Sequence, residues 1–269
     1  MSSTATPVER GTPEPPQHHI PLPQRLYTLL LAIPLMALAT AFFGTISLIC
    51  GLWDRSGRQQ HVVARTWAAT LLAIALSPVE VVNAIRLRSA PVAVFASNHL
   101  SYMDTPVVFA KLPFQFRILA KQGLWKLPFV GWYLNHSGQV PIDASSSRSA
   151  IAGLLRGVKA LNSGMRLFVF PEGSRTPDGR QQTSASGAAF MAIRAGVPLV
   201  PLALVGTYEL LPIHVYSLRP RPLKLVVGDP ISTEGLTTRD ADALTERLHT
   251  AIAEMYYAHH PELTAAPAA

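Results

Sequence analysis

The residues with the most chemical content are a histidine and an aspartate five positions apart, His99 and Asp104, within Ser97-Asn98-His99-Leu100-Ser101-Tyr102-Met103-Asp104. An imidazole that donates one N–H to a carboxylate keeps a single tautomer and leaves its other nitrogen as a base. A continuous helix does not bring these two together, because at about 100° per residue five steps separate the side chains by roughly 140°. His99 is therefore expected just before a helix, with Asp104 folding back from the first turn. Ser101 reads as a helix cap or as a hydroxyl near the pair, and no obvious nucleophile stands beside them. On these residues alone, a surface histidine beside a helix cap fits equally well.

A second turn changes that balance. The apolar run 167–170 leads directly into Pro171-Glu172-Gly173-Ser174-Arg175, where Pro and Gly break the backbone and set an acid and a guanidinium at the end of an expected strand. Ligands of α/β sheets bind at such carboxyl ends. Arg grips phosphate with paired donors, and Gly lets a ligand approach the backbone.

The two motifs, in this order and about 70 residues apart, resemble the glycerolipid acyltransferase family, within it the bacterial 1-acyl-sn-glycerol-3-phosphate acyltransferases. The family blocks are Asn-His-x-Ser-x-x-Asp and Phe-Pro-Glu-Gly-Thr/Ser-Arg. Two weaker blocks also match, Lys121 with Leu124, Pro128, Gly131 and Trp132, and Val197-Pro198-Leu199-Val200-Pro201; the resemblance covers roughly residues 92–231. It implies an α/β sandwich of the glycerol-3-phosphate acyltransferase type around a mostly parallel mixed sheet, with an N-terminal membrane-anchoring helical segment. It also implies transfer of a fatty acyl group from acyl-CoA or acyl carrier protein to the sn-2 hydroxyl of lysophosphatidic acid, giving phosphatidic acid. Carried over residue by residue, His99 is the general base and Asp104 its orienting partner, while Glu172 and Arg175 bind the acceptor's glycerol phosphate. Asn98, Ser101, Lys121, Gly173 and Ser174 complete the expected substrate-binding set. The transfer needs no metal or redox cofactor.

Three departures bear on the acceptor. Gly123 stands where the family usually has Glu, Ala144 follows Ile142-Asp143 where Arg is usual, and Ser184-Ala185-Ser186-Gly187 replaces a Phe-Lys-Lys-Gly-like run. Another lysolipid, such as a lyso-ornithine lipid or a lysophospholipid, is the alternative acceptor. An inactive membrane-binding homologue is a further alternative, although it would have no need of all four of His99, Asp104, Glu172 and Arg175. A hydrolase with Ser101 or Ser174 as nucleophile is a third, with neither serine in a Gly-x-Ser-x-Gly elbow.

These turns need a scaffold. The β-prone run 92–96 and the run 167–170 read as buried strands, residues 147–162 as an amphipathic helix capped by Ser145–Ser147, and 187–195 as a helix feeding a strand at 199–205. A further strand at 223–227 and a closing helix at 240–257 complete an alternation that argues for a largely parallel sheet. The basic and aromatic stretch 112–134 suits a lipid interface, an acyl-chain groove or plain core packing.

The bulk numbers fit a membrane-surface enzyme. The 269 residues are 49% hydrophobic and only 14% charged, with net charge +7, pI ≈ 9.9 and mean hydropathy +0.24. The basic residues are scattered and no nucleic-acid module is recognisable, so membrane lipids and an anionic acyl carrier are the expected partners and nucleic acid is not. Residues 26–53 carry no charge and are long enough to cross a roughly 30 Å hydrocarbon core; Pro34 and Gly44 could instead break them into a hairpin. Residues 67–82 read as an interfacial helix leading into the first strand. The lone Cys50 permits neither an intrachain disulfide nor a Cys/His metal site. The expected organisation is a disordered Pro-rich tail at 1–25, a membrane-associated region at 26–82, a catalytic domain at 83–257 and a flexible tail at 258–269. Arg55, Arg58 and Arg65 after the apolar segment favour a catalytic domain facing the cytoplasm, at the bacterial inner membrane.

Overall fold

The structure, a computed structural model, describes residues 20–88, 92–143 and 145–260. Of the expected tails at 1–25 and 258–269, residues 1–19 and 261–269 lie outside the described residues, as does the family departure at Ala144, while residues 22–25 are already helical.

The apolar N-terminal stretch forms one long helix, α1 (Leu22–Gly51), with Arg25 in its first turn. Pro34 does not turn it into a hairpin. A proline inside a helix clashes with the carbonyl four residues earlier, and a π-helical turn, Thr28–Ala32, absorbs that conflict one turn ahead, with the Ile33 N–H donating to Thr28 O. Gly44 is likewise helical, and its bare Cα lets Phe129 approach closely. After a short turn α2 (Arg58–Ile74) packs alongside α1.

Strand β1 (Val79–Val82) follows, earlier than expected. Its β-branched run pairs with a later strand instead of continuing an interfacial helix, so the sheet begins inside the stretch assigned to the membrane-associated region. Then come β2 (Val94–Ser97), α3 (Asp104–Lys111), β3 (Phe116–Lys121), α4 (Val130–His136), β4 (Val140–Ile142), α5 (Ser147–Asn162) and β5 (Arg166–Val169). The chain closes with α6 (Gly187–Ala195), β6 (Leu199–Val205), α7 (Thr207–Leu210), β7 (Leu223–Val227) and α8 (Ala241–Tyr257). The spacing had not revealed β3, whose Phe116, Ile118 and Ala120 look like part of one aromatic-rich run. Ser146 is the N-cap of α5, accepting the Ser149 N–H.

The sheet has the order β1-β7-β6-β2-β5-β3-β4. All neighbours run parallel except β6 and β7, giving the mostly parallel mixed sheet. Side chains alternate across it with period two. Phe95, Phe168, Val200 and Leu202 face a core shared with α1, α2 and α3. Val94, Ala96, Leu167, Val169 and Leu199 face the opposite core, against α5, α6 and α8. Both faces of β2 and β6 are therefore buried, as their continuous apolar sequences require.

Phe168 sits at the centre of the first core, fully buried between Phe116 and Phe170. Phe168→Ala is expected to cost about 3–5 kcal/mol, read as a lowered thermal midpoint of the detergent-purified protein; an unchanged midpoint would contradict this packing.

Candidate active site

Because β2 and β5 are direct neighbours with Ala96 opposite Val169, the two motif turns leave the same end of the sheet side by side. That register, and not the separation of the motifs in sequence, brings them together.

Asp104 is the first residue of α3, and its carboxylate reaches back over the preceding turn. Its Oδ2 accepts three hydrogen bonds: from Leu100 N at 2.6 Å, from Ser101 N at 2.7 Å and from His99 Nδ1 at 2.9 Å. The carboxylate is completely buried, and Oδ1 finds no protein partner among the described residues. A buried carboxylate is costly unless such donors surround it. With Nδ1 occupied, Nε2 is the nitrogen left over, on a ring that borders an open cavity. That ring stacks on Phe170, centroids 3.9 Å apart and planes 14° from parallel. Phe170 was visible only as the first letter of a motif; its part as the plate that holds the ring flat needed the register of β2 against β5.

Glu172 is held by backbone donors and is not among the residues lining the cavity beside His99. Its Oε1 accepts the His99 backbone N–H at 3.2 Å and its Oε2 accepts the Gln182 N–H at 3.2 Å, so it joins the two turns to each other. Burial pushes its carboxyl up to about 8 and the negative charge of Asp104 adds to this, against the opposing pull of the two N–H donors. Arg175 donates from Nε to Ser101 O at 3.0 Å and lies over the Tyr102 ring at 4.5 Å. Ser174 Oγ donates to Gln182 Oε1 at 3.1 Å. Gly173 has φ 68°, a left-handed conformation that suits glycine at this turn.

Asn98 and Ser101, read from sequence as substrate contacts, turn into the protein. Asn98 is fully buried and holds β6 by both ends of its amide, with Nδ2 donating to Leu204 O at 2.9 Å and Oδ1 accepting Leu204 N–H at 2.7 Å. Ser101 Oγ donates to Leu211 O at 2.7 Å and accepts the Met103 N–H.

The residues that do face open space line a cavity of about 350 Å³, among them His99, Lys121, Phe170, Gly173, Ser174 and Arg175. Lys121 is exposed at the carboxyl end of β3. A second, apolar cavity of about 160 Å³ lies between α1, α2, α3 and β3, with Thr40, Phe43, Trp67, Phe109 and Phe129 in its wall. Thr105, Ile118, Ala120 and Leu124 line both cavities, so a chamber bearing an oriented imidazole and a few polar side chains adjoins an apolar one beneath the long helix. Such a pair of chambers can hold a reacting group at His99 with an aliphatic chain beyond it.

Two expectations follow from this geometry. Asn98→Ala leaves a buried N–H and a buried C=O of Leu204 without partners and costs about 2–5 kcal/mol, seen as a lower thermal midpoint, while the KM of the surviving folded protein for its acceptor stays unchanged; a raised KM at full stability would restore Asn98 as a ligand contact. For Glu172, the folded value near 8 against an ordinary 4.5 means that folding retains a proton between those limits. This contribution is fully present below about pH 4.5 and is lost as pH rises toward about 8. The thermal midpoint of wild type relative to Glu172→Gln is expected to fall across that window, and parallel profiles would refute it.

Known proteins can now be set beside this geometry. The pattern of a protein family described as Acyltransferase matches residues 78–205, from the approach to β1 to the end of β6. A chloroplastic 1-acyl-sn-glycerol-3-phosphate acyltransferase of Arabidopsis thaliana is 30% identical over 94% of this chain and 70% of its own length. The 1-acyl-sn-glycerol-3-phosphate acyltransferase of Saccharomyces cerevisiae is 30% identical over 83% of this chain and 75% of its own length. The crystal structure of the 1-acyl-sn-glycerophosphate acyltransferase of Thermotoga maritima shares the fold, with a TM-score of 0.71 at 23% identity over 92% of this chain and 98% of that one. A relative 30% identical and aligned over 94% of this chain and 70% of its own length leaves one conclusion: the chain belongs to the 1-acyl-sn-glycerol-3-phosphate acyltransferase family.

Proposed function

We propose that the protein moves a fatty acyl group from an acyl thioester, carried by coenzyme A or by acyl carrier protein, to the sn-2 hydroxyl of 1-acyl-glycerol-3-phosphate, giving phosphatidic acid. The observation that carries this reading is the His99–Asp104 pair, with Nδ1 held at 2.9 Å and the ring bordering a cavity that adjoins an apolar chamber. A free hydroxyl attacks a thioester poorly at neutral pH, so the site must take its proton during attack and stabilise the oxyanion. In the proposed reaction Nε2 of His99 takes the proton as the acceptor oxygen bonds to the thioester carbonyl carbon. The tetrahedral intermediate collapses with cleavage of the C–S bond, and the imidazolium returns the proton to the departing thiolate. Asp104 favours the imidazolium and holds the tautomer. Arg175 and Lys121 are the proposed contacts for the acceptor's phosphate, whereas Glu172 acts as a strut behind His99. The apolar chamber takes an acyl chain.

Helix α1 is the proposed membrane anchor. It is the one helix among the described residues long and apolar enough to cross a bilayer, and Leu22, Leu30, Leu38 and Phe42 stand exposed along it. In this reading the cavity opens at a cytoplasmic membrane surface, where lysolipid and soluble thioester meet.

A second acceptor reading has its own support. Among the described residues that line the cavity, Lys121 and Arg175 supply the basic side chains, while the lining residues Ala185 and Gly187 bring none. A lysolipid with a less anionic headgroup, such as lysophosphatidylcholine or a lyso-ornithine lipid, fits that sparse charge.

Thiol release from acyl-CoA by detergent-purified protein tests both readings. With lysophosphatidate as acceptor, His99→Ala is expected to lower the rate by about 10²–10⁴. Turnover confined to the other lysolipids would transfer the assignment to them, and a rate untouched in His99→Ala would remove the histidine from the chemistry.

A further inference from the structure

Helix α5 carries a surface that the acyl-transfer chemistry leaves unused. Its inner side, with Gly153, Gly157 and Leu161, is buried on the sheet. Its outer side consists of Arg148, Ile151, Ala152, Leu155, Arg156 and Lys159, all exposed. Two aliphatic side chains, Ile151 at 51% and Leu155 at 45% exposure, thus stand in water between three cations. The adjoining α6 adds exposed Arg194, and neither helix contains an acidic residue. A solvated helix face normally mixes both signs of charge. A basic face with a small apolar centre is instead the complement of an acidic protein surface with an apolar patch.

The position of α5 narrows the occupant. Leu154, between the exposed positions, lines the 350 Å³ cavity with His99, so the surface starts at the lip of the candidate active site. The sheet separates α5 from α1, since the α1 side chains join one core and those of α5 the other. Lipid that covers α1 therefore lies on the far side of the sheet from this face. A second copy of the chain would bring like charges together.

Resting on the acyl-transfer reading above, we propose that the outer face of α5 docks an acidic acyl carrier protein, which presents its thioester-bound acyl group to the cavity from the side opposite the membrane helix. The cations steer and orient the carrier, and Ile151 and Leu155 form the dry centre of the contact. A coenzyme A donor, having no protein surface, bypasses this contact.

The test uses the full chain in detergent micelles and an acyl carrier protein loaded with a non-hydrolysable acyl-pantetheine amide. Binding is measured directly by fluorescence anisotropy for wild type, Arg156→Glu/Lys159→Glu and Ile151→Ser/Leu155→Ser. The Kd is expected to rise about tenfold or more in each double variant, and wild-type binding to weaken with added salt. The kcat/KM with acyl-CoA should stay within about twofold of wild type, consistent with a surface outside the reacting cavity. Equal Kd values in wild type and both variants would overturn the proposal. So would variants that keep carrier binding but lose flotation with phosphatidylglycerol vesicles, since the face would then belong to the membrane. Absence of turnover with either donor would count against the acyl-transfer reading alone, because carrier binding is read without turnover.

Discussion

The candidate site is built around one buried carboxylate. Asp104 has no exposure to water, and a charge in that position persists only where the surrounding chain supplies donors. It receives them from the backbone of Leu100 and Ser101 and from His99 Nδ1. The same three bonds set the shape of the turn, the start of α3 and the direction of the imidazole. The rest of the site maintains this arrangement. Phe170 supports the ring from one face, Glu172 grips the His99 N–H, Arg175 holds Ser101 O, and Asn98 pins the turn to β6. Preorganisation of this kind keeps a base in place without reorganisation when charge develops.

A consequence is that several polar residues of the two motifs serve each other. Asn98, Ser101 and Glu172 bond to backbone, and their side chains are used before any ligand arrives. What faces the cavity is a shorter set led by His99, Lys121 and Arg175. This division of labour makes the turn rigid and leaves Lys121 and Arg175 as the Lys and Arg side chains among the described residues that line the cavity.

The two-sided sheet organises the larger picture. One core joins the strands to α1 and α2, and between these helices and β3 lies the apolar chamber. The other core joins them to α5, α6 and α8. The candidate site sits at the strand ends, where both layers reach it.

Much of this was legible from local pattern. Short continuous apolar runs located β2, β5, β6 and β7, whose burial on both faces demands them, and apolar stripes at helical spacing located α5 and α8, with α6 placed between β5 and β6. The five-residue gap from His99 to Asp104 called for a back-folded carboxylate, since no straight helix could join them. Residues 79–82 and 116–121 escaped because short apolar runs look alike in helix and strand until a partner strand chooses. The uncharged length of residues 26–53 had already pointed to a spanning helix, and a π turn before Pro34 set aside the hairpin alternative. Which motif residues face the cavity could not be read at all, as Asn98 and Ser101 are polar in sequence and acquire their partners, Leu204 and Leu211, only from chain more than a hundred residues away. The sequence by itself determined the chemistry and its residue types; the tertiary structure alone decided which of them point outward, because hydrogen-bond partners are assigned by the register of β2 between β5 and β6.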